Sequence, residues 1–354
     1  MPSQTPAEKL KSDLQSLQSS LRDLQSSARL TDLRDRLEDL GGSVNGLDQR
    51  IADLRKKGYA FEKELEVQAA DFVKGWAGIA PDLEQEISRE AAGLARSLTP
   101  LETRLAGLTG DRSTPAALLP RVERLKSEVE ILEGRIEAIE ENIRGAYDQF
   151  HSDVNQLEYH LGRLEWTLTE LSEASFQLLA AESGIMAVKA VWAREGKQTK
   201  EDPEGVLFLT DQRILFEQKE KVATKKVLFV VTEKELVQEL LWEVPVVLVE
   251  EARSRKEGFL NKDDYLELTF ESRAPMDKVH LHIWQRGDDW VALVNRARAG
   301  DFDQTRAIPI DKSLLERVKN APTKCPSCGG AINQPILRGM ESIHCEYCGD
   351  VIRI

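Results

Sequence analysis

The sequence predicts a multidomain α plus β protein. Its parts are a long antiparallel coiled-coil hairpin, a β sandwich or barrel with a capping helix, and a small four-cysteine module. Three observations predict this. Apolar residues recur at heptad spacing through the first half of the 354-residue chain. Short β-rich runs replace that spacing after Gly184, and all four cysteines fall in two C-x-x-C pairs near the end. The predicted divisions are a helical arm over 1–183, a β domain over 184–300, a linker over 301–320 and the cysteine module over 321–354.

The helical arm rests on its seams. Leu10, Leu14, Leu17, Leu21, Leu24 and Ala28 step by four and three, the pattern of a coiled coil. The seam shifts phase and resumes at Leu33, Leu37, Leu40, Val44, Leu47, Ile51 and Leu54, a slip that changes local winding without ending the helix. "GGSVNG" at 41–46 places three glycines in that run and predicts a kink or break. A second seam runs from Leu118 through Val122, Leu125, Val129, Leu132, Ile136, Ile139 and Ile143 to Leu171, predicting one helix from about Ala116 to Ala181. Before it, Leu94, Leu98, Leu101, Leu105 and Leu108 supply a matching face, and "TGDRSTP" at 109–115 supplies the turn. The first arm has more residues than the second, so part of it overhangs, folds back or pairs with another chain. Oligomerisation through the coiled coil is therefore one expectation and a solvated rod the other. Phe72, Trp76 and Ile79 form a stripe that suits burial against a partner helix; its acidic flanks disfavour an anionic membrane surface.

After Gly184 the runs are "MAVKAVWA" (186–193), "GVLFLT" (205–210), "RILFEQ" (213–218), "KKVLFVV" (225–231), "VPVVLVEEA" (244–252), "YLELTF" (265–270) and "KVHLHIW" (278–284). "GDDWVALVNRARAG" then reads as a helix, with Asp288 as N-cap, an apolar face of Trp290, Leu293, Val294 and Ala297, and Gly300 as terminator. Seven strands and one amphipathic helix resemble a pleckstrin-homology-like sandwich. Within it, Gly205, Leu207, Leu209, Thr210, Asp211, Arg213, Ile214, Leu215 and Phe216 resemble the signature hairpin of the GRAM branch. The resemblance covers about 115 residues and implies a core role for Trp290. It implies a docking function too, since such domains bind lipid headgroups in some families and protein segments in others. Arg194, Lys197 and Lys200 after the first strand, and Arg253, Arg255 and Lys256, are the candidate ligand-binding residues. Glu195, Glu201, Asp202, Glu204, Glu250, Glu251 and Glu257 dilute both groups, which favours a protein partner over a headgroup.

The knuckles "CPSCGG" and "CEYCGD" place Cys325, Cys328, Cys345 and Cys348 as four thiolate ligands for a tetrahedral zinc ion. Gly329 and Gly349 follow each second cysteine, where the turn calls for positive φ. With short strands at 331–332, 336–337 and 342–343 and at the final "VIRI", the unit resembles a zinc ribbon. Four thiolates leave no open position for water, so the ion is expected to be structural. His344 is read as a strand residue. Lys324, Arg338 and Arg353 balance Glu341, Glu346 and Asp350, which gives a nucleic-acid backbone little to hold. The linker is polar, carries Pro309 and is expected to let the ribbon move.

Charge points the same way. The formal net charge is −13. Residues 1–183 hold 22 Lys and Arg against 33 Asp and Glu, whereas 184–300 hold 19 against 21. An acidic chain is repelled by phosphate backbones. No apolar run reaches the length of a membrane span and the start lacks a signal-peptide pattern, so a cytoplasmic location is expected. His280 and His282 share a strand face without a carboxylate or cysteine nearby in sequence to complete a metal site, and His151 and His160 do not share a helix face. No phosphate loop, nucleophile elbow or H-E-x-x-H motif is present. The functional expectation is a non-enzymatic scaffold or adaptor that binds protein partners and has no small-molecule substrate. The alternatives are a nucleic-acid factor acting through the ribbon and a coiled-coil protein working at a stressed membrane or lipid surface.

Overall fold

The computed structural model describes residues 5–227, 230–257 and 262–354, with side chains in 222–234 outside the description. The chain forms two compact units. The first comprises 1–48 and 68–158, and the second 49–67 and 159–354.

In the first unit, helices α1 (Pro6–Ser27), α2 (Thr31–Lys56), α3 (Leu65–Gly110) and α4 (Pro115–Glu173) contribute to one core. Leucines of α1 and α2 meet Leu94, Leu98 and Leu101 of α3 and Leu125, Val129 and Leu132 of α4. Lys9 reaches Glu123 at 3.2 Å, so the starts of α1 and α4 lie together. The predicted two-armed hairpin is therefore a three-armed bundle: the excess length of the first arm folds back through residues 57–64. The glycine cluster at 41–46 does not break α2. Gly41 lies directly beneath Trp76, whose Nε1 would stand 2.9 Å from any Cβ there, so packing against the indole takes the place of a turn. The phase slip does end a helix, since α1 stops at Ser27 and buried Leu30 adopts a φ of 52° before α2 begins. Phe72, Trp76 and Ile79 join this core, with Trp76 stacked on Phe150 at 5.7 Å.

The second unit is built on a seven-stranded antiparallel sheet. Its strands are β1 (Gly184–Trp192), β2 (Glu204–Thr210), β3 (Arg213–Val227), β4 (Val230–Pro245), β5 (Val249–Glu257), β6 (Asp263–Phe270) and β7 (Lys278–Ile283), in spatial order β4-β3-β2-β1-β7-β6-β5. Helix α5 (Gly287–Ala299) follows, giving the element order that the pleckstrin-homology resemblance implies. The strand identities differ from expectation in the middle. "KKVLFVV" is not a separate strand: it spans the end of β3 and the start of β4, and Leu228 and Phe229 lie outside the described residues. The fourth strand is instead the run ending at Trp242-Glu243-Val244-Pro245, which packs Trp242 on Phe216 at 5.9 Å. "VPVVLVEEA" is divided by a 3-10 turn at Val246–Leu248.

The signature hairpin has local physical reasons. Gly205 crosses β3 so closely that a Cβ would lie 1.9 Å from the Glu217 carbonyl oxygen. The Thr210 hydroxyl accepts the amides of Gln212 at 3.0 Å and Arg213 at 2.7 Å, closing the turn. Trp290 is fully buried and its Nε1 donates to Gln285 at 2.8 Å. Asp288 sits in the first turn of α5, where Arg286 is the cap residue, and receives the Ser254 hydroxyl; Gly300 ends the helix at a φ of 74°.

The last turns of α4 belong with the sheet. Trp166 and Leu171 pack against Ala187, Val206 and Phe208, and the Thr167 hydroxyl accepts the Ala187 amide at 2.9 Å. Residues 57–64 are also pinned to this unit. Tyr59 and Phe61 are buried, Phe61 meets Phe302 edge-on at 5.5 Å, and the amide of Ala307 donates to Ala60 at 2.8 Å.

Candidate functional site

The four cysteines gather at one point, with all ligand atoms within 4.8 Å of one another. Two repeated knuckles hold them. In the first, the Cys325 amide donates to Gly330 and the Gly329 amide returns to Cys325, both at 2.8 Å. In the second, Cys345 pairs the same way with Asp350 and Gly349, both at 2.9 Å. Gly329 and Gly349 adopt φ values of 75° and 74°, which favour glycine. Across the knuckles, Cys325 Sγ lies 3.7 Å from Cys348 Sγ, and Cys328 Sγ lies 3.6 Å from Cys345 Sγ. A tetrahedral ion with metal–sulfur bonds of about 2.3 Å needs sulfurs about 3.8 Å apart, so the cluster fits such an ion. A disulfide would bring them to about 2.05 Å. The four thiols can therefore hold a metal ion.

The cage also sets thiol acidity. The backbone amides of Cys348 and Tyr347 lower the Cys345 thiol to about 7. The Asp350 amide acts the same way on Cys348, but the crowding sulfurs of Cys328 and Cys345 outweigh it and push that thiol up to about 12. Four thiolates crowded together repel one another, and a cation relieves that repulsion.

Around the cysteines, β8 (Ser342–His344) pairs with β9 (Val351–Arg353), and Ile343, Ile352 and Ile354 make a small core with Ile332, Ile336 and Met340. Ala331 bridges to Lys324. Ile336 and Leu337 are not in a strand; they lead into a turn that docks elsewhere. His344 lies in β8 and is exposed.

That docking turn departs from the expected mobile linker. The segment after α5 forms a 3-10 turn at Asp301–Thr305 and helix α6 (Lys312–Lys319). A loop of the four-cysteine module then lands on the hairpin between β2 and β3. Gln212 brackets the backbone of one residue: its Oε1 accepts the Arg338 amide at 2.5 Å and its Nε2 donates to the Arg338 carbonyl at 3.0 Å. The Arg338 guanidinium meets Asp211 at 2.5 Å and Asp303 at 2.8 Å. Arg306 also pairs with both aspartates and lies over the Phe61 ring at 4.8 Å. Burial raises the Asp211 carboxyl despite the Ser183 amide and the two arginines.

Beside this network, Glu182 is buried and receives the Thr210 hydroxyl at 2.6 Å and Arg213 at 2.6 and 3.0 Å. Burial opposes the charge on Arg213, but Glu182 and Glu243 hold it above its ordinary value. Thr210, Asp211 and Arg213 were legible as a hairpin signature, but their partners were not, because no spacing rule links them to Glu182, Arg306 or Arg338.

The candidate ligand-binding residues gather around the opposite end of the sheet. Arg194 lies over the Trp192 ring at 5.2 Å. Arg255 donates to the Gly196 carbonyl at 3.4 Å and pairs with Glu257 at 2.9 Å and Glu267 at 3.1 Å. Lys256 faces Asp264 at 3.8 Å, and Arg253 faces Glu251 at 2.7 Å. Among the described residues Lys197 and Lys200 have no ion-pair partner, and both are exposed. Tyr265, His282 and exposed Trp284 stack beside this loop, where His282 Nδ1 meets Gln198 at 2.7 Å. The structure thus brings Arg194 and Arg255 to one loop, while carboxylates neutralise the strand β5 cations. No helix among the described residues is long and apolar enough to cross a membrane.

No family model matches the chain, and no curated protein matches it. Among solved structures, the DH/PH domains of p115-RhoGEF are 13% identical over 83% of this chain and 93% of that one, with a TM-score of 0.23. The PDZ-RhoGEF DH/PH domains in complex with GTP-gamma-S-activated RhoA are 12% identical over 79% and 95%, with a TM-score of 0.26. A DUF1696 family protein with a pleckstrin-homology domain from Shewanella loihica is 14% identical over 34% and 80%, with a TM-score of 0.19. Likenesses this loose carry no argument, and the strand order and closing helix described above stand on their own.

Proposed function

We propose that the chain is a non-enzymatic adaptor whose β domain docks a protein partner, with the helical bundle giving reach and a zinc ion folding the ribbon. The observation that carries this reading is the segregation of the β domain's two ends. One end is filled by the chain's own segments, with Glu182, Asp303 and Arg338 seated on the signature hairpin. The other presents exposed Lys197 and Lys200 on a loop whose Gln198 meets His282, itself packed on exposed Trp284, and such cationic and aromatic groups suit an acidic, partly apolar protein segment. Zinc is the ion that the four-thiolate set favours, and a filled tetrahedron suits a structural role.

The test is partner capture by the intact chain against a Lys197→Glu/Lys200→Glu variant, with parallel sedimentation on anionic vesicles. A specific protein captured by the intact chain and lost in the variant supports the reading. Vesicle binding lost in the variant, with protein capture unchanged, replaces it with the lipid-surface alternative. Salt-sensitive DNA binding by the intact chain that requires Cys345 replaces it with the nucleic-acid alternative.

A further inference from the structure

We propose that the signature hairpin turn is a receptor for an apolar–Arg–Gly peptide turn, and that the ribbon's Leu337-Arg338-Gly339 occupies it in cis. Each position of that segment is read by a different contact. Gln212 meets both the amide and the carbonyl of Arg338, at 2.5 and 3.0 Å, so it recognises the backbone of the turn without regard to side chain. Asp211 and Asp303 then select the arginine, at 2.5 and 2.8 Å from two different guanidinium nitrogens. Lysine lacks the fork needed to reach both carboxylates at once. Gly339 is selected by exclusion: its φ is 84°, and a Cβ would lie 2.1 Å from the Ala180 carbonyl oxygen. Leu337 is buried, and its carbonyl accepts the Met340 amide at 3.2 Å, which closes the turn.

The receptor side belongs to the β domain and to the segments on either side of it. Ser183 donates its amide to Asp211 at 2.9 Å, and Arg306 holds both aspartates in place. The acidic pair is thus positioned without Arg338. The occupant side belongs to the ribbon, whose small core and four-thiol cluster hold the turn's shape. The cis contact is not perfectly matched, because the Arg338 Nε is buried without a partner. An unpaired buried donor weakens a contact and makes it exchangeable. Tethering compensates, since covalent linkage makes the cis contact intramolecular and raises the effective concentration of the segment. Loss of the metal would remove the framework that holds the turn and open the receptor; this limb rests on the metal reading of the ribbon.

The experiment uses the full chain and a synthetic peptide spanning residues 334–341, followed by calorimetry. The intact, metal-loaded chain should not bind the peptide. The Arg338→Ala chain should bind it, because its own segment no longer competes. A peptide with lysine at position 338, or a Gln212→Ala change added to the Arg338→Ala chain, should weaken binding about 10- to 100-fold. Gly339→Val serves as a second opened variant, with metal content measured in each. Absence of peptide binding to both opened variants, or equal binding to the intact chain, overturns the receptor. Binding to the metal-stripped intact chain supports metal control. Binding to Arg338→Ala but not to the stripped chain overturns that control alone, and an absence of bound metal in the purified protein overturns the metal reading while leaving the receptor test intact.

Discussion

Arg338 and Asp211 stand 127 positions apart in the chain and meet at 2.5 Å. Through this contact the C-terminal four-cysteine module becomes part of the β domain's own architecture. Gly339 supplies the sharpest test of that seating. Alanine there meets the Ala180 backbone and an unfavourable φ together, so Gly339→Ala should unseat the loop at a cost of about 1–3 kcal/mol. Hydrogen exchange at Ala180–Ser183 and at the Arg338 amide should accelerate, while the metal content stays unchanged. Unaltered protection at both places would show that the loop does not depend on this contact.

The buried Arg213–Glu182 pair makes a second prediction. Side-chain exposures of 7% and 0% mean that neither partner can be rescued by water when the other is removed. Glu182→Ala should destabilise the β unit by about 3–5 kcal/mol in urea unfolding. The double variant Glu182→Leu/Arg213→Met should recover part of that loss, since it removes the buried charge that would otherwise be left with Glu243 alone as its ionic partner. Equal losses in the single and double variants would place the stabilising role in the Thr210 and Leu179 hydrogen bonds to Glu182 instead.

What the sequence revealed, and what it hid, follows from the range of each interaction. The seam through Leu94, Leu98 and Leu101 repeats within a few residues and so is visible locally, as is the C-x-x-C spacing that precedes Gly329 and Gly349. The fold-back at 57–64 is not local. Tyr59 and Phe61 are buried there because Phe302, more than two hundred positions later, supplies the other half of their packing. The fourth strand is hidden in the sequence because apolar residues at 236, 237, 240 and 241 follow helical spacing and not the alternation of a strand. Asp211 reads as a turn residue; only the folded chain turns it into the centre of an ion network.

The glycines of α2 separate propensity from packing. Gly42 has open space where a Cβ would go, so Gly42→Ala should stabilise the bundle by about 1 kcal/mol. Gly41→Ala gains the same propensity but presses on Trp76 at 2.9 Å, and should yield a smaller gain or a net loss. Thermal melts of the two variants decide the matter, with Trp76 fluorescence altered only by the second. Equal stabilisation by both would mean that Trp76 does not require the close approach.

Metal removal tests the thiol cluster directly. Chelation should release a single ion per chain, and cobalt(II) added to the stripped protein should give the intense thiolate charge-transfer and tetrahedral ligand-field bands of a four-sulfur site. Cys345→Ser should lose this signature and loosen β8 and β9, whose core includes Cys345 itself. A cobalt spectrum of octahedral type would mean that the four sulfurs do not act as one ligand set.

The pair between His160 and Glu62 gives a pH dependence with a defined sign. His160 Nε2 lies 2.6 Å from Glu62, on the segment that pins residues 57–64 to the β unit. Burial works to raise the Glu62 carboxyl, but the His160 hydrogen bond and charge leave it below the usual carboxylate range. A carboxylate with a depressed folded-state pKa binds protons more weakly when folded than when unfolded. Its contribution is therefore present above the unfolded value of 4.5 and is lost as pH falls through the lower folded value. Glu62→Gln should cost about 1 kcal/mol at neutral pH, and the cost should shrink on acidification below that range. Paired urea titrations at neutral and acidic pH measure the difference, and a cost that does not change with pH would place the role of Glu62 in packing rather than charge.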